Sequence, residues 1–179
     1  MVTFLSFLLL ISARHTVIIP GAARDAVLRD ETPYMACAVA NAHFPVRVAI
    51  ATTVDPRPWR AAFAEWNSHY PGTFLEVSAD EPSDATIQPS ARTWVQMPCG
   101  STKPTVYAGT DTNLDYWAAH ELGHVLGLRD WIQSSVSTKG YMNPGSCPSS
   151  YRGIMSYCSP RTEWWGDGDD AMMRGAFNR

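Results

Sequence analysis

The chain has 179 residues, enough for one domain of ordinary size with a real core. Charged residues make up only 17% and the net charge is −3, a balance that argues against nucleic acid as a partner. Seven tryptophans are many for this length; such rings serve mostly the core, with one or two left for a substrate rim.

In chain order, Val2 to Ser12 is an apolar run too short to span a bilayer as a helix. It has the character of the apolar region of a secretory signal, and Gly21-Ala22-Ala23 would suit a small-residue cleavage site. Residues 1–23 therefore read as a signal peptide and the product as secreted. No Lys or Arg precedes the run and Arg14-His15 interrupts it, so a buried N-terminal strand or a misassigned start codon is the competing reading. No later stretch is long and apolar enough for a membrane span. Residues 24–45 lack periodicity and read as an extension or short pro-segment, in which His43 is a surface or packing residue rather than a ligand. From residue 46 onward the chain reads as one domain, 46–179, with subdomains at 46–127 and 128–179.

Val46 to Val54 alternates and is β-branched, which predicts a strand. Pro56 and Pro58 mark the turn into a helix from about Arg57 to Tyr70, whose Trp59, Phe63, Trp66 and Tyr70 share one face and predict core packing. His69 near its C-terminal end suits the helix dipole and needs no further role. Pro71-Gly72 ends the helix. Short strands follow at Thr73–Ser78, Ala85–Gln88, Thr93–Met97 and Thr105–Ala108.

Next comes His120-Glu121-Leu122-Gly123-His124-Val125-Leu126-Gly127-Leu128-Arg129-Asp130. Asp111, Thr112 or Asn113 can cap the helix that carries it, and Ala118, Leu122 and Val125 form its core stripe. On that helix His120 and His124 lie one turn apart on the same face, so two imidazoles can bind one metal ion. Glu121 can then act on a metal-bound water, the H-E-x-x-H arrangement of zinc peptidases with Glu as general base. Gly127 permits a positive-φ exit, and that turn could return Asp130 as a third ligand. Three protein ligands and one open position describe a catalytic zinc rather than a structural one. With five His in the chain, H-E-x-x-H arises by chance only about 0.005 times, which disfavours a fortuitous core helix.

After Asp130 the chain is polar and rich in Ser, Gly and Pro through Ser150, a long loop. Gly153-Ile154-Met155-Ser156-Tyr157 follows, and Asp167 to Phe177 reads as a closing helix with Asp169 and Asp170 at its positive end. Those acids could instead bind calcium, but Asp167-Gly168-Asp169-Asp170 lacks the full calcium-loop pattern, so capping is the better reading.

The two segments together resemble the metzincin clan of zinc endopeptidases, in which a Met-containing turn lies beneath the metal. The clan's motif usually ends in a third His; Asp130 in its place resembles the snapalysin group of small secreted proteases. The resemblance is sharp over residues 112–158 and only architectural elsewhere. It implies zinc ligands at His120, His124 and Asp130, a general base at Glu121, a Met-turn residue at Met155, and Tyr157 as an extra ligand or oxyanion stabiliser. It implies an α+β fold: a small mixed twisted sheet, two main helices (one carrying H-E-x-x-H) and a short, mostly irregular C-terminal subdomain ending in a helix. A sheet edge strand, Trp94–Met97 or Thr105–Ala108, would pair with extended substrate. Cys158 to Trp165 would line the pocket for the side chain after the scissile bond. An Asp ligand should make the zinc a somewhat weaker Lewis acid than a third His would.

Cys37, Cys99, Cys147 and Cys158 form no C-x-x-C pair, which disfavours a cysteine zinc site. An even count in an exported chain suggests two disulfides with three pairings open. Cys147–Cys158 with Cys37–Cys99 is favoured, and a disulfide near Met155 resembles snapalysin-like proteins. A Cys37 latency thiol is a rival reading. The expected function is a secreted, monomeric zinc endopeptidase acting on protein or peptide substrates. The alternative is a secreted zinc-binding module without turnover, against which the presence of Glu121 argues. A peptidase class whose third ligand is a Glu on a later helix would have to use Glu163, whose Arg161-Thr162-Glu163-Trp164-Trp165 setting does not suit it.

Overall fold

Strand β1 (Val46–Ile50) is the centre from which the sheet grows. In the computed structural model, which describes residues 43–96, 103–129, 153–155 and 165–177, it pairs in parallel with β2 (Phe74–Val77) on one side and β3 (Ala85–Pro89) on the other. β3 pairs in parallel with β5 (Thr105–Ala108), and β4 (Trp94–Gln96) closes the far side antiparallel to β5. The order is β2-β1-β3-β5-β4. Among the described strands β4 is therefore one edge and β2 the other, and the competing candidate, Thr105–Ala108, is an interior strand. β1 is shorter than its alternation suggests. Val54 is buried but reached through a turn, its N–H donating to the carbonyl of Ala51 at 2.9 Å.

The alternation of the strands sorts the two faces. Val46, Val48, Ala85, Ile87, Val106 and Ala108 are buried on one face. That face packs on helix α1 (Arg57–His69) and helix α2 (Leu114–Val125). In α1, Trp59, Phe63 and Trp66 are buried and Tyr70 just beyond it is half-buried, as their helical spacing predicts. The indole N–H of Trp66 donates to the carbonyl of Ala119 at 2.9 Å, pinning α1 to the turn of α2 just before His120. Among the described residues no helix is long and apolar enough to cross a membrane.

α2 begins at Leu114, after Asn113 at φ 60, and no side chain caps it. Asp111 serves another purpose: its carboxylate accepts the N–H of Thr93 at 2.7 Å, while the Thr93 hydroxyl accepts the N–H of Gly109 at 3.0 Å. A Cβ at Gly109 would lie 2.5 Å from the backbone of Arg92 and Thr93, so only glycine allows this approach. The entry to α2 is thus stitched to the entry to β4.

Helix α3 (Asp167–Phe177) has the predicted bounds and buries Met172, Met173, Ala176 and Phe177 in the same core. Phe44 packs edge-on against Phe177 with ring centroids 5.1 Å apart. The core therefore begins before residue 46, inside the stretch the sequence assigned to an extension. His43 lies 3.0 Å from Asp84. The signal-peptide reading, all four cysteines and Glu163 fall outside the described residues.

Candidate metal centre

His120 and His124 share one face of α2 because four residues make slightly more than one turn. Their Nε2 atoms are 3.2 Å apart. His120 Nδ1 lies 2.8 Å from the carbonyl oxygen of Ile154, and His124 Nδ1 lies 2.7 Å from that of Leu128. A carbonyl oxygen only accepts, so each Nδ1 carries a proton, and in the neutral tautomer this requires, each Nε2 would direct a lone pair toward the other. Two lone pairs cannot bond each other, but they can share a cation. Two nitrogens at about 2.0–2.1 Å from a tetrahedral zinc lie about 3.3 Å apart, so this donor pair fits that ion. Carbonyl partners on the far ring nitrogens are the usual means of fixing a metal-binding tautomer.

Each partner is itself held. After Val125 the helix closes with the N–H of Gly127 donating to the carbonyl of His124 at 2.8 Å and that of Leu128 to Gly123 at 3.1 Å. Gly127 sits at φ 87, the left-handed conformation predicted for it, and this closure delivers the Leu128 carbonyl to His124. Ile154 belongs to the Met-containing segment and is buried together with Met155. Its carbonyl also accepts from the Tyr116 hydroxyl at 3.3 Å. The Met155 sulfur meets α2 at Gly123, where any Cβ would collide with it, so the methionine packs against the helix turn that lies between the two histidines in sequence. Trp117 packs edge-on to the His120 ring with centroids 5.5 Å apart.

Asp169 is the residue the sequence reading undervalued. It lies fully buried in the first turn of α3. Its carboxylate accepts the N–H of Ile154 at 2.7 Å, of Met155 at 3.1 Å and of Gly166 at 3.0 Å. The Gly166 bond is the helix-capping role; the other two fasten the Met-containing turn. Burial pushes its pKa up to about 7 against the lowering effect of those three N–H donors. Three backbone donors on this carboxylate are in keeping with the capping reading of Asp169. A Cβ on Gly153 would lie 2.5 Å from the same carboxylate, so the glycine ahead of the turn is required by the clamp. The adjacent Asp170 accepts from the Tyr70 hydroxyl and the Trp165 indole N–H, each at 3.0 Å. Trp165 stacks on His69 with centroids 4.2 Å apart and meets Trp66 edge-on. His69 thus has a packing role beyond the helix dipole, and Trp165 is anchored on α1.

Of the expected site residues, His120, His124 and Glu121 are brought together on one turn, with His120 and Glu121 buried and His124 half-buried. Asp130 and Tyr157 lie outside the described residues, and among the described residues no group of three His, Cys, Asp or Glu gathers around one point. The sequence missed Asp169, Tyr116 and the backbone carbonyl of Ile154.

No family model matches the chain, and no curated protein matches its sequence. Among solved structures, the chain is similar to high choriolytic enzyme 1, a hatching-enzyme zinc protease from the medaka fish Oryzias latipes. The likeness covers 74% of this chain and 88% of that one, with a TM-score of 0.51 and 12% sequence identity. The fold, a mixed five-stranded sheet backed by helices, is thus α+β and resembles the fold of that protein.

Proposed function

We propose that the chain is a zinc-dependent endopeptidase. The observation that carries this reading is the histidine pair: both Nδ1 atoms are committed to carbonyls and both Nε2 atoms converge at 3.2 Å. In the proposal His120, His124 and Asp130 hold the ion, and the motif ending in Asp130 supports a snapalysin-like group within the metzincins. Bound zinc supplies Lewis acidity, polarising a scissile carbonyl and lowering the pKa of a water molecule. Glu121, next to His120 on the same buried turn, takes the water's proton and passes it to the departing amine. The side of β4 that pairs with no described strand holds the substrate extended by backbone hydrogen bonds. Tyr157 steadies the developing oxyanion or adds a ligand. The neighbour's description as a zinc protease is in keeping with this chemistry.

The test is chelator-sensitive hydrolysis of casein by the purified protein and its Glu121→Ala variant, with zinc content measured on both. The expected result is cleavage by the wild type and a loss of about 10²–10⁴-fold in the variant at unchanged zinc. Wild type that holds zinc and cleaves nothing, even after trimming of the N-terminal extension, would instead favour a binding module. Export is part of the same proposal, supported by the apolar run at Val2–Ser12; sequencing the N-terminus of protein from the culture medium checks cleavage near Ala23.

A further inference from the structure

Trp94 stands out among the described residues as a large hydrophobic side chain with 45% of its surface exposed, on the edge strand. Its strand neighbours show which way it points. Val95 pairs with buried Val106 and packs toward the helices, so Trp94 and Gln96 project from the opposite face of the sheet. On that face Trp94 lies directly across from Tyr107, and Tyr107 directly across from Gln88.

The Trp94 and Tyr107 rings are stacked, with centroids 4.2 Å apart and planes 11° from parallel. Neighbouring strands are about 4.8 Å apart, so the stacking direction runs across the sheet from strand to strand. Tyr107 covers one face of the indole and is itself within 3.4 Å of the Gln96 side-chain oxygen. The other face of the indole therefore looks outward past the β4 edge. A peptide adding itself to that edge would set one side chain a further strand spacing away, which is the separation at which aromatic rings stack. β4 is also positioned relative to the histidines, because β4 and β5 are the strands packed against α2 and because Asp111 and Gly109 fasten the β4 entry to the start of α2.

We propose that Trp94, backed by Tyr107, is a specificity-determining platform that selects an extended peptide carrying an aromatic ring at the position facing it. This rests on the endopeptidase reading. The residue contributes to choice of substrate and not to the bond-breaking step. Because alternate residues of an extended chain face the same way, the preference should be confined to one position and should be absent at the positions immediately beside it.

The experiment measures kcat/KM for a set of peptides in which Phe or Ala is placed in turn at each position flanking the cleaved bond. Wild type, Trp94→Ala, Trp94→Phe and Leu75→Ala are compared; Leu75 is the exposed apolar residue on the opposite edge strand, β2. The expected result is a Phe-over-Ala preference at one position that falls roughly 2- to 12-fold in Trp94→Ala, is largely kept in Trp94→Phe, and is unmoved in Leu75→Ala. A preference that Trp94→Ala leaves intact, or a loss spread equally over adjacent positions, overturns the platform while leaving the endopeptidase reading in place. Wild type that binds zinc but cleaves no peptide in the set sinks the endopeptidase reading and takes the platform with it.

Discussion

The two histidines are held by very different means. His124 reaches a carbonyl four residues on, that of Leu128, delivered by the turn at Gly127. His120 reaches a carbonyl 34 residues on, that of Ile154, and Ile154 is fastened in turn by Asp169 on the last helix. One ring is oriented by the closure of its own helix. The other depends on the docking of the C-terminal part of the chain. A metal site built this way couples ligand geometry to assembly of the whole domain: without α3 in place, half of the pair loses its orientation.

The largest way to break this asymmetry is Asp169→Ala, which strips three backbone N–H groups of their acceptor beside the His120 support. The expected cost is about 3–5 kcal/mol in denaturant unfolding. Zinc affinity, read by competition with a chromophoric chelator, should fall roughly 10–100-fold. Proton NMR of the ring N–H groups sharpens the comparison, since the His120 Nδ1 proton should lose its hydrogen-bonded shift while that of His124 keeps it.

Asp169 also gives the molecule a pH dependence of defined sign. Its carboxyl titrates at about 7 in the folded chain and near 3.9 when unfolded, so the native state keeps a proton that the unfolded state releases. The stability this confers is full below about pH 4 and is lost as pH rises toward 7, at up to about 1.4 kcal/mol per pH unit. Urea unfolding of zinc-free protein across that range should show the decline, and Asp169→Asn should flatten it. A slope that Asp169→Asn leaves unchanged would contradict the assignment.

Gly123→Ala strikes the contact between α2 and the Met-containing segment, because the added methyl meets the Met155 sulfur. A cost of about 1–3 kcal/mol is expected, partly relieved in a double variant with Met155→Ala; an additive double variant would show that the contact is unimportant. Gly127→Ala has the smallest effect, about 1–2 kcal/mol for forcing a side chain to φ 87, and should disturb the ring N–H signal of His124 alone.

Much of the site was legible because its logic is local. The spacing of His120 and His124, the burial of Trp59, Phe63 and Trp66, and the positive φ at Gly127 all follow from helical periodicity and from what glycine alone tolerates. The bounds of β5 and α3 were read to the residue, since turn-forming residues or a change of period flank each. Asp169 was read only as a helix-terminal acid, because its partners Ile154 and Met155 are backbone groups, which leave no trace in residue identity. Asp111 was read as a cap for the same reason and instead accepts from the N–H of Thr93.

The sequence by itself determined the donor chemistry, the helix that presents it and the alternation that gives the sheet one buried face, because these depend on residues a few positions apart. Only the tertiary structure decided which strand is the edge, which carbonyl orients His120, why Gly123 and Gly153 must be glycine, and that Phe44 belongs to the core. Those are contacts between segments distant in the chain. Packing density and the need to pair every buried backbone group select them, and neither constraint can be evaluated until the segments meet.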